Sequence, residues 1–324
     1  MITEHGLRTD IGLGNMAKYK VKVLDGVVYL QAPARIDVYR DDLRDSTLTF
    51  LAVIAHLGLN WEVRIRVDLK GCETITAAAA VMLFAEVTRI QLATNDSEAV
   101  LVDPPEGPFR VLFRNSGLQA GLKPGAARKL NELFDNDHPL QSGDTPAKSI
   151  ISIMSVMHKA GLDLTKPQTR IFSKGVQEAM LNVMHHAYRH EAEPLSGIGK
   201  RWWHACWYNP QDNSMSFIIY DKGSGIPETL AEVCGPEMSD EDRIAHGLKK
   251  GVTCMLDPSR GKGSVDIQNV TNIYAGSLLF VASNYGIVLV KDDGEISTKK
   301  PSNQSFNGTL IEWKFKLEVN DEEV

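Results

Sequence analysis

Residues 177–190 read QEAMLNVMHHAYRH, an apolar helical pattern interrupted by a glutamate, an asparagine and two histidines. At 3.6 residues per turn, Val176, Ala179, Met180, Val183, Met184 and Ala187 fall on one broad face, the spacing of a helix packed on a core. Glu178, Asn182, His185 and Arg189 share the opposite face. Glu178 and Asn182 stand at i and i+4, so their side chains lie one turn apart and can converge on one bound group. A solvated polar stripe gives the same pattern, and this helix alone does not separate the two readings.

A chain of 324 residues, 43% of them hydrophobic, can bury a large core. Its length suggests about two domains. The net charge of -6 argues against a protein whose main task is gripping a nucleic-acid backbone. Lys249, Lys250, Arg260 and Lys262 nevertheless form a local basic group, read here as phosphate-binding candidates. No apolar run reaches bilayer length, and the opening MITEHGLRTDIGLGNM lacks a signal-peptide core, so the expectation is a cytoplasmic protein with no membrane attachment. Cys72, Cys206, Cys234 and Cys254 form no CxxC and have no histidine at ligand spacing; they are expected to be free, mostly structural thiols.

The fold class expected is α/β. Across residues 21–120, the β-branched runs VVYLQA, VRIRVDL and AVLVD alternate with the amphipathic stretches DDLRDSTLTFLAVIAHLG and AAAAVMLFAEVTRIQLA, which implies a parallel or mixed sheet with helices packed on it. The Gly- and Pro-containing segment over 121–145 is expected to be a linker with one short helix. Residues 146–324 open with helical patterns and continue with the strand runs WWHACWYN, SMSFIIYD, AGSLLFVASN, GIVLVKD and TLIEWKFKL, a helical layer on a mainly antiparallel sheet. Residues 1–20 are set apart as an N-terminal extension.

Three further stretches carry chemistry. DKGSGIP, residues 221–227, ends a strand at Asp221 and turns on Gly223 and Gly225, which let backbone approach a ligand closely. RGKG, residues 260–263, puts Arg260, Gly261, Lys262 and Gly263 before an apolar-periodic helix, an arrangement suited to presenting backbone N–H groups to phosphates. NGTLIEWKF, residues 307–315, enters the last strand at Gly308 and Thr309.

In this order the four pieces resemble the GHKL (Bergerat-fold) ATPase superfamily over residues 146–318. EAMLNVMHHAY resembles the N box in its anti-sigma-factor serine kinase form, DKGSGIP the first glycine box, RGKGSVDI the second, and the Gly-Thr of the last strand the closing threonine. The second box departs from the pattern at Ser264, where the family usually has leucine. The resemblance implies a two-layer α/β sandwich with a mixed, mainly antiparallel sheet. It also implies ATP and Mg²⁺, with Asn182 supplying an amide oxygen to the metal and Glu178 activating water or a hydroxyl. Asp221 would accept from the adenine amino group with Thr309 in support, while Gly261, Gly263 and Lys262 would line the phosphates. His185, where kinases of the family often have lysine, is either against a phosphate or in solvent. His186 is read as structural. The glycine-punctuated segment over 228–263 has the character of a nucleotide-ordered lid. No phosphoacceptor histidine motif precedes this region, which argues against a sensor histidine kinase.

VRIRVDLKGCETITAAAAVMLFAEVTRI and VLFRNSGLQAGL resemble the STAS domain of sulfate transporters and anti-sigma antagonists. Thr76, Ala77 and Ala78 stand where signalling members offer a serine, so this half is expected to bind a protein partner rather than to accept phosphate. The whole is expected to be a Mg-ATP-dependent regulator that either hydrolyses ATP or acts as an anti-sigma-like serine/threonine kinase. A binding module that never hydrolyses the nucleotide is the rival, and a homodimer is compatible with either.

Overall fold

The computed structural model describes residues 21–188, 198–209, 212–249 and 263–317. The chain separates into two compact α/β units, one ending at Leu140 and the other beginning at Gln141. No helix among the described residues is long and apolar enough to cross a membrane.

The first unit begins with a hairpin of β1 (Val21–Leu24) and β2 (Val27–Gln31). Its two turn residues, Asp25 and Gly26, have φ of 49° and 76°, the left-handed pair that matches the twist of flanking strands. A two-residue ladder joins β3 (Arg35–Ile36) to β5 (Thr74–Ile75). The main sheet runs β1-β2-β4-β6, with β4 (Arg64–Asp68) parallel to both β2 and β6 (Val100–Asp103). Parallel neighbours require crossovers, and helices α1 (Asp41–Ala55) and α2 (Ala77–Ala93) provide them. The sequence pattern suggested an amphipathic α2. The helix is instead buried on nearly all sides, because its run of alanines lets neighbouring elements close in and its polar Glu86 and Gln91 are also buried. Glu86 is paired with Arg89, and Gln91 donates to the Val100 carbonyl.

Two short helices, α3 (Phe109–Asn115) and α4 (Leu118–Gly121), lead into the stretch expected to be a linker. That stretch holds α5 (Ala126–Asp135), which packs on α2, and β7 (Leu140–Gly143), an edge strand of the second sheet. Its polar letters disguise a buried anchor. The fully buried Lys129 Nζ donates to Gln91 Oε1 at 2.9 Å and to the Lys123 carbonyl at 2.8 Å.

In the second unit a seven-stranded sheet runs β12-β11-β10-β13-β9-β8-β7. Its members are β8 (Trp202–Asn209), β9 (Ser214–Asp221), β10 (Leu278–Ser283), β11 (Gly286–Lys291), β12 (Ile296–Thr298) and β13 (Thr309–Lys316). The pairs from β8 through to β12 are antiparallel. Helices α6 (Pro146–Lys159) and α7 (Lys166–Asn182) share one core with this sheet through Ile153, Met157, Phe172, Val176 and Met180 against Phe217, Ile219, Trp313 and Phe315. Thr165 and Gln168 form a capping box that starts α7. Two short helices, α8 (Ile226–Thr229) and α9 (Asp240–Gly247), follow the end of β9, and α10 (Gly263–Asn269) lies against α7. Cys72, Cys206 and Cys234 are free and buried.

Candidate functional site

The helix quoted at the outset packs as its periodicity requires. Val176, Ala179, Met180, Val183 and Ala187 are buried, while Glu178 is half-buried and Asn182 and His185 are exposed on the other side. Beyond Asn182 the helix widens into a π-helical turn, Val183–Ala187, a feature that often marks functional positions. Tyr188 closes it. The Tyr188 hydroxyl donates to the Arg201 carbonyl at 2.7 Å and accepts from Lys222 N at 3.3 Å, and the Ala187 carbonyl accepts from Ser224 N at 2.7 Å. The end of the helix is therefore stitched to the glycine turn after β9.

That contact explains one glycine. A Cβ at Gly223 would lie 2.1 Å from the Ala187 carbonyl oxygen, so the residue is glycine because the helix end sits on it. Gly223 was expected to bind ligand, yet it is absent from the cavity wall. Gly225 is on the wall, at a φ of +87° that favours glycine.

Asp221 ends β9, is 5% exposed, and accepts from Gly223 N at 2.8 Å through Oδ1. Thr309 is its partner on β13 and is 8% exposed. Sequence reasoning missed the residue behind them, Ser283, which is fully buried at the end of β10. Its Oγ lies 3.0 Å from Thr309 Oγ1, donates to the Gly308 carbonyl at 3.0 Å and accepts from Ile226 N at 2.8 Å. No local signal announces it, since a serine before Asn-Tyr-Gly reads as an ordinary turn residue.

On the far side, α10 crosses α7 closely. A Cβ at Gly175 would lie 2.6 Å from the Asp266 carbonyl oxygen, and one at Gly263 would lie 2.6 Å from Glu178 Oε2. Lys174 bonds Asp266 at 2.8 Å, and the Trp313 indole donates to the Ile267 carbonyl at 2.8 Å. Burial raises the proton affinity of Glu178 above the usual carboxylate range and nearby Asp266 adds to it, against the opposing charges of Lys174 and His185.

A cavity of about 390 Å³ lies between these elements. Glu178, Asn182, His185, Asp221, Gly225, Gly263 and Thr309 all line it, brought together from the four stretches singled out in the sequence. His186, read from the sequence as structural, lines it too. Its apolar wall, Ile219, Val281 and Ile311 from the sheet with Ile244 and Leu248 from α9 and its end, carried no sequence signature beyond strand and helix patterning. Arg260, Gly261 and Lys262 lie outside the described residues, as do Lys250 and Cys254. The segment expected to be a lid is partly packed structure. Ser239 caps α9 by accepting from Asp242 N, Tyr285 N donates to Asp240 Oδ2 at 3.0 Å, and Ile244 is fully buried. Serine followed by three acids is a helix start, and Ile244 with Leu248 at i+4 supplies the apolar stripe that docks it.

The cavity lining combines a few polar groups with an apolar wall, the make-up of a site for a small molecule. Among the described residues no group of three or more His, Cys, Asp or Glu could hold a metal ion by itself. Asn182 offers a hard amide oxygen donor one turn from Glu178. Mg²⁺ suits such a sparse set, because it keeps several waters and binds through one or two protein oxygens plus phosphates. No protein-family model matches the chain, and no curated protein matches it.

Proposed function

We propose that this cavity binds Mg-ATP and that the chain is a regulator of the GHKL kind, turning ATP over to water or to a serine or threonine hydroxyl. The observation that supports it most is the convergence of Glu178, Asn182, Asp221, Gly263 and Thr309, from four separate stretches, on one cavity of nucleotide dimensions. Chance proximity of four unrelated stretches would not also bring the carboxylates of Glu178 and Asp221 and the amide of Asn182 to the lining of one cavity.

Each residue has a definite task in this reading. Asp221 accepts a hydrogen bond from the amino group of the base, its own orientation fixed by Gly223 N. Ile219, Val281 and Ile311 cover the flat face of the base and exclude water. Asn182 would hold Mg²⁺ through its amide oxygen, and the ion when bound would neutralise charge on the triphosphate. Glu178 takes the proton of the attacking water or hydroxyl as that oxygen bonds to the γ-phosphorus and the bond to the bridging oxygen breaks, leaving ADP. A raised proton affinity suits a base for this step. The first unit, with parallel strands and Ala77 and Ala78 opening α2, is the STAS-like partner-binding half in the same proposal.

The test is to incubate the purified protein with γ-labelled ATP and Mg²⁺, with and without a cell extract. Label released as phosphate supports the ATPase form, and label on a protein supports the kinase form. Label remaining on ATP in every sample, with no ATP binding by calorimetry, would overturn the proposal.

A further inference from the structure

Ser283 has a hydrogen-bonding capacity that can be counted. A serine hydroxyl has one proton and two lone pairs. Three groups surround Ser283 Oγ in a place with no solvent exposure: the Gly308 carbonyl, which can only accept, the Ile226 N–H, which can only donate, and the Thr309 hydroxyl. Buried polar groups are satisfied wherever geometry allows. The Gly308 carbonyl also accepts from Asn284 N, but at the long distance of 3.4 Å, and only one assignment keeps all three contacts of Ser283 as hydrogen bonds. Ser283 donates its proton to Gly308, accepts from Ile226 N, and accepts the Thr309 proton on its remaining lone pair. The Thr309 hydroxyl proton is then spent on Ser283, which leaves the hydroxyl of this cavity-lining residue able to act toward a ligand only as an acceptor.

We infer that Ser283 is a specificity-determining positioning residue, which makes Thr309 a second acceptor beside Asp221 so that the cavity takes a ligand edge bearing an amino group and refuses one bearing a carbonyl. The inference rests on the adenine-nucleotide reading and deepens it. An amino group has two protons for the two acceptors Asp221 and Thr309, whereas a carbonyl has none and the N–H beside it can serve only one of them, which leaves the other acceptor facing the carbonyl oxygen. Without Ser283, the Thr309 hydroxyl is released to rotate and donate outward, and a carbonyl becomes acceptable. Specificity of this sort arises from the group that is left unpaired in the wrong complex.

The experiment compares ATP with inosine triphosphate, which differs at this edge by carrying a carbonyl in place of the amino group and a proton on the adjacent ring nitrogen. Calorimetry gives both affinities for the full chain and for Ser283→Ala, Thr309→Val and the double variant, with thermal melts to establish that each is folded. The parent should favour ATP, and Ser283→Ala should lower the ratio of the two affinities by about tenfold, the scale of one buried hydrogen bond. Thr309→Val should lower it similarly, and adding Ser283→Ala to it should change the ratio no further, because Ser283 acts through Thr309. A parent that binds neither nucleotide would overturn the adenine-nucleotide reading and this inference with it. A parent that binds ATP selectively, with an unchanged ratio in Ser283→Ala, would overturn this inference alone. Should Ser283→Ala not fold, an unchanged ratio in Thr309→Val has the same meaning.

Discussion

Asp221 and Thr309 are register partners on β9 and β13, and the backbone between them leaves no room for a side chain at Gly308, whose Cβ would lie 2.0 Å from the Asp221 carbonyl oxygen. The backbone that carries these two cavity-lining side chains is therefore fixed by main-chain packing, and the side chains are held by Gly223 N and Ser283. Preformed acceptors of this kind give specificity without an ordering cost on binding.

Asp221→Asn should weaken ATP binding. The substitution keeps the shape and exchanges a charged acceptor for a neutral one, at a cost of roughly 1.5–3 kcal/mol, or on the order of 10- to 150-fold in affinity. Calorimetry on a folded variant measures this directly, and unchanged affinity removes Asp221 from the site.

Glu178→Gln and Asn182→Ala should separate. The first should bind Mg-ATP about as well as the parent and lose turnover; the second should lose the Mg²⁺ dependence of binding itself. The pH profile adds a sign. Glu178 acts as a base only when ionised, and burial with Asp266 nearby moves its titration above the ordinary value of 4.5. Turnover should therefore fall on the acid side at a pH above that value. Asp266→Asn, which removes a negative neighbour, should shift the acid limb to lower pH, and a limb that does not move would show that Glu178 is not the titrating base.

Gly223→Ala and Gly308→Ala should each lower stability by about 1–3 kcal/mol or more, since the new methyl meets backbone that cannot step aside. Gly235→Ala, where a Cβ would meet nothing within 4 Å, should stay within roughly 0.5 kcal/mol of the parent. Chemical denaturation of the three variants tests the contrast, and equal midpoints would refute it.

His204 should make the second unit acid-sensitive. It is 2% exposed on β8, neither ring nitrogen has a partner among the described residues, and burial pushes its pKa down to about 3 from an ordinary 6.5. Below pH 6.5 the unfolded chain takes up a proton that the folded one refuses, so stability falls as pH drops from 6.5 toward 3. His204→Phe should reduce that slope and raise stability at pH 5, as read from urea midpoints across the range. A slope identical to the parent's would mean that other groups carry the acid sensitivity.

Much of the fold was legible because its signals are local. β9 and β13 are dense in apolar, aromatic and β-branched residues, and the face of α7 was set by its period. What was not legible depends on distant partners. Gly223 looked like a ligand-binding glycine because nothing nearby in sequence reveals that Ala187 lies against it. Ser283 meets Ile226 and Thr309 from 57 and 26 residues away, a meeting that only the strand order creates. Lys129 made 121–145 look like surface chain, although its buried amine ties α5 to α2. The four site stretches could be found as candidates from their residue types, but their common cavity could be seen only once folded.

The bond from the Trp313 indole to the Ile267 carbonyl gives the second unit an optical gauge of its own. Trp313 is fully buried on the strand that begins with Thr309, while Ile267 lies in the helix that begins with Gly263 beside Glu178. Lifting that helix would strand a buried indole N–H and a buried carbonyl, at a cost of about 1–3 kcal/mol for each. It would also change the polarity around a natural fluorophore. The contribution of Trp313 to the emission, separable from that of Trp202, Trp203 and Trp207 by comparison with Trp313→Phe, thus registers whether the helix beside Glu178 is seated.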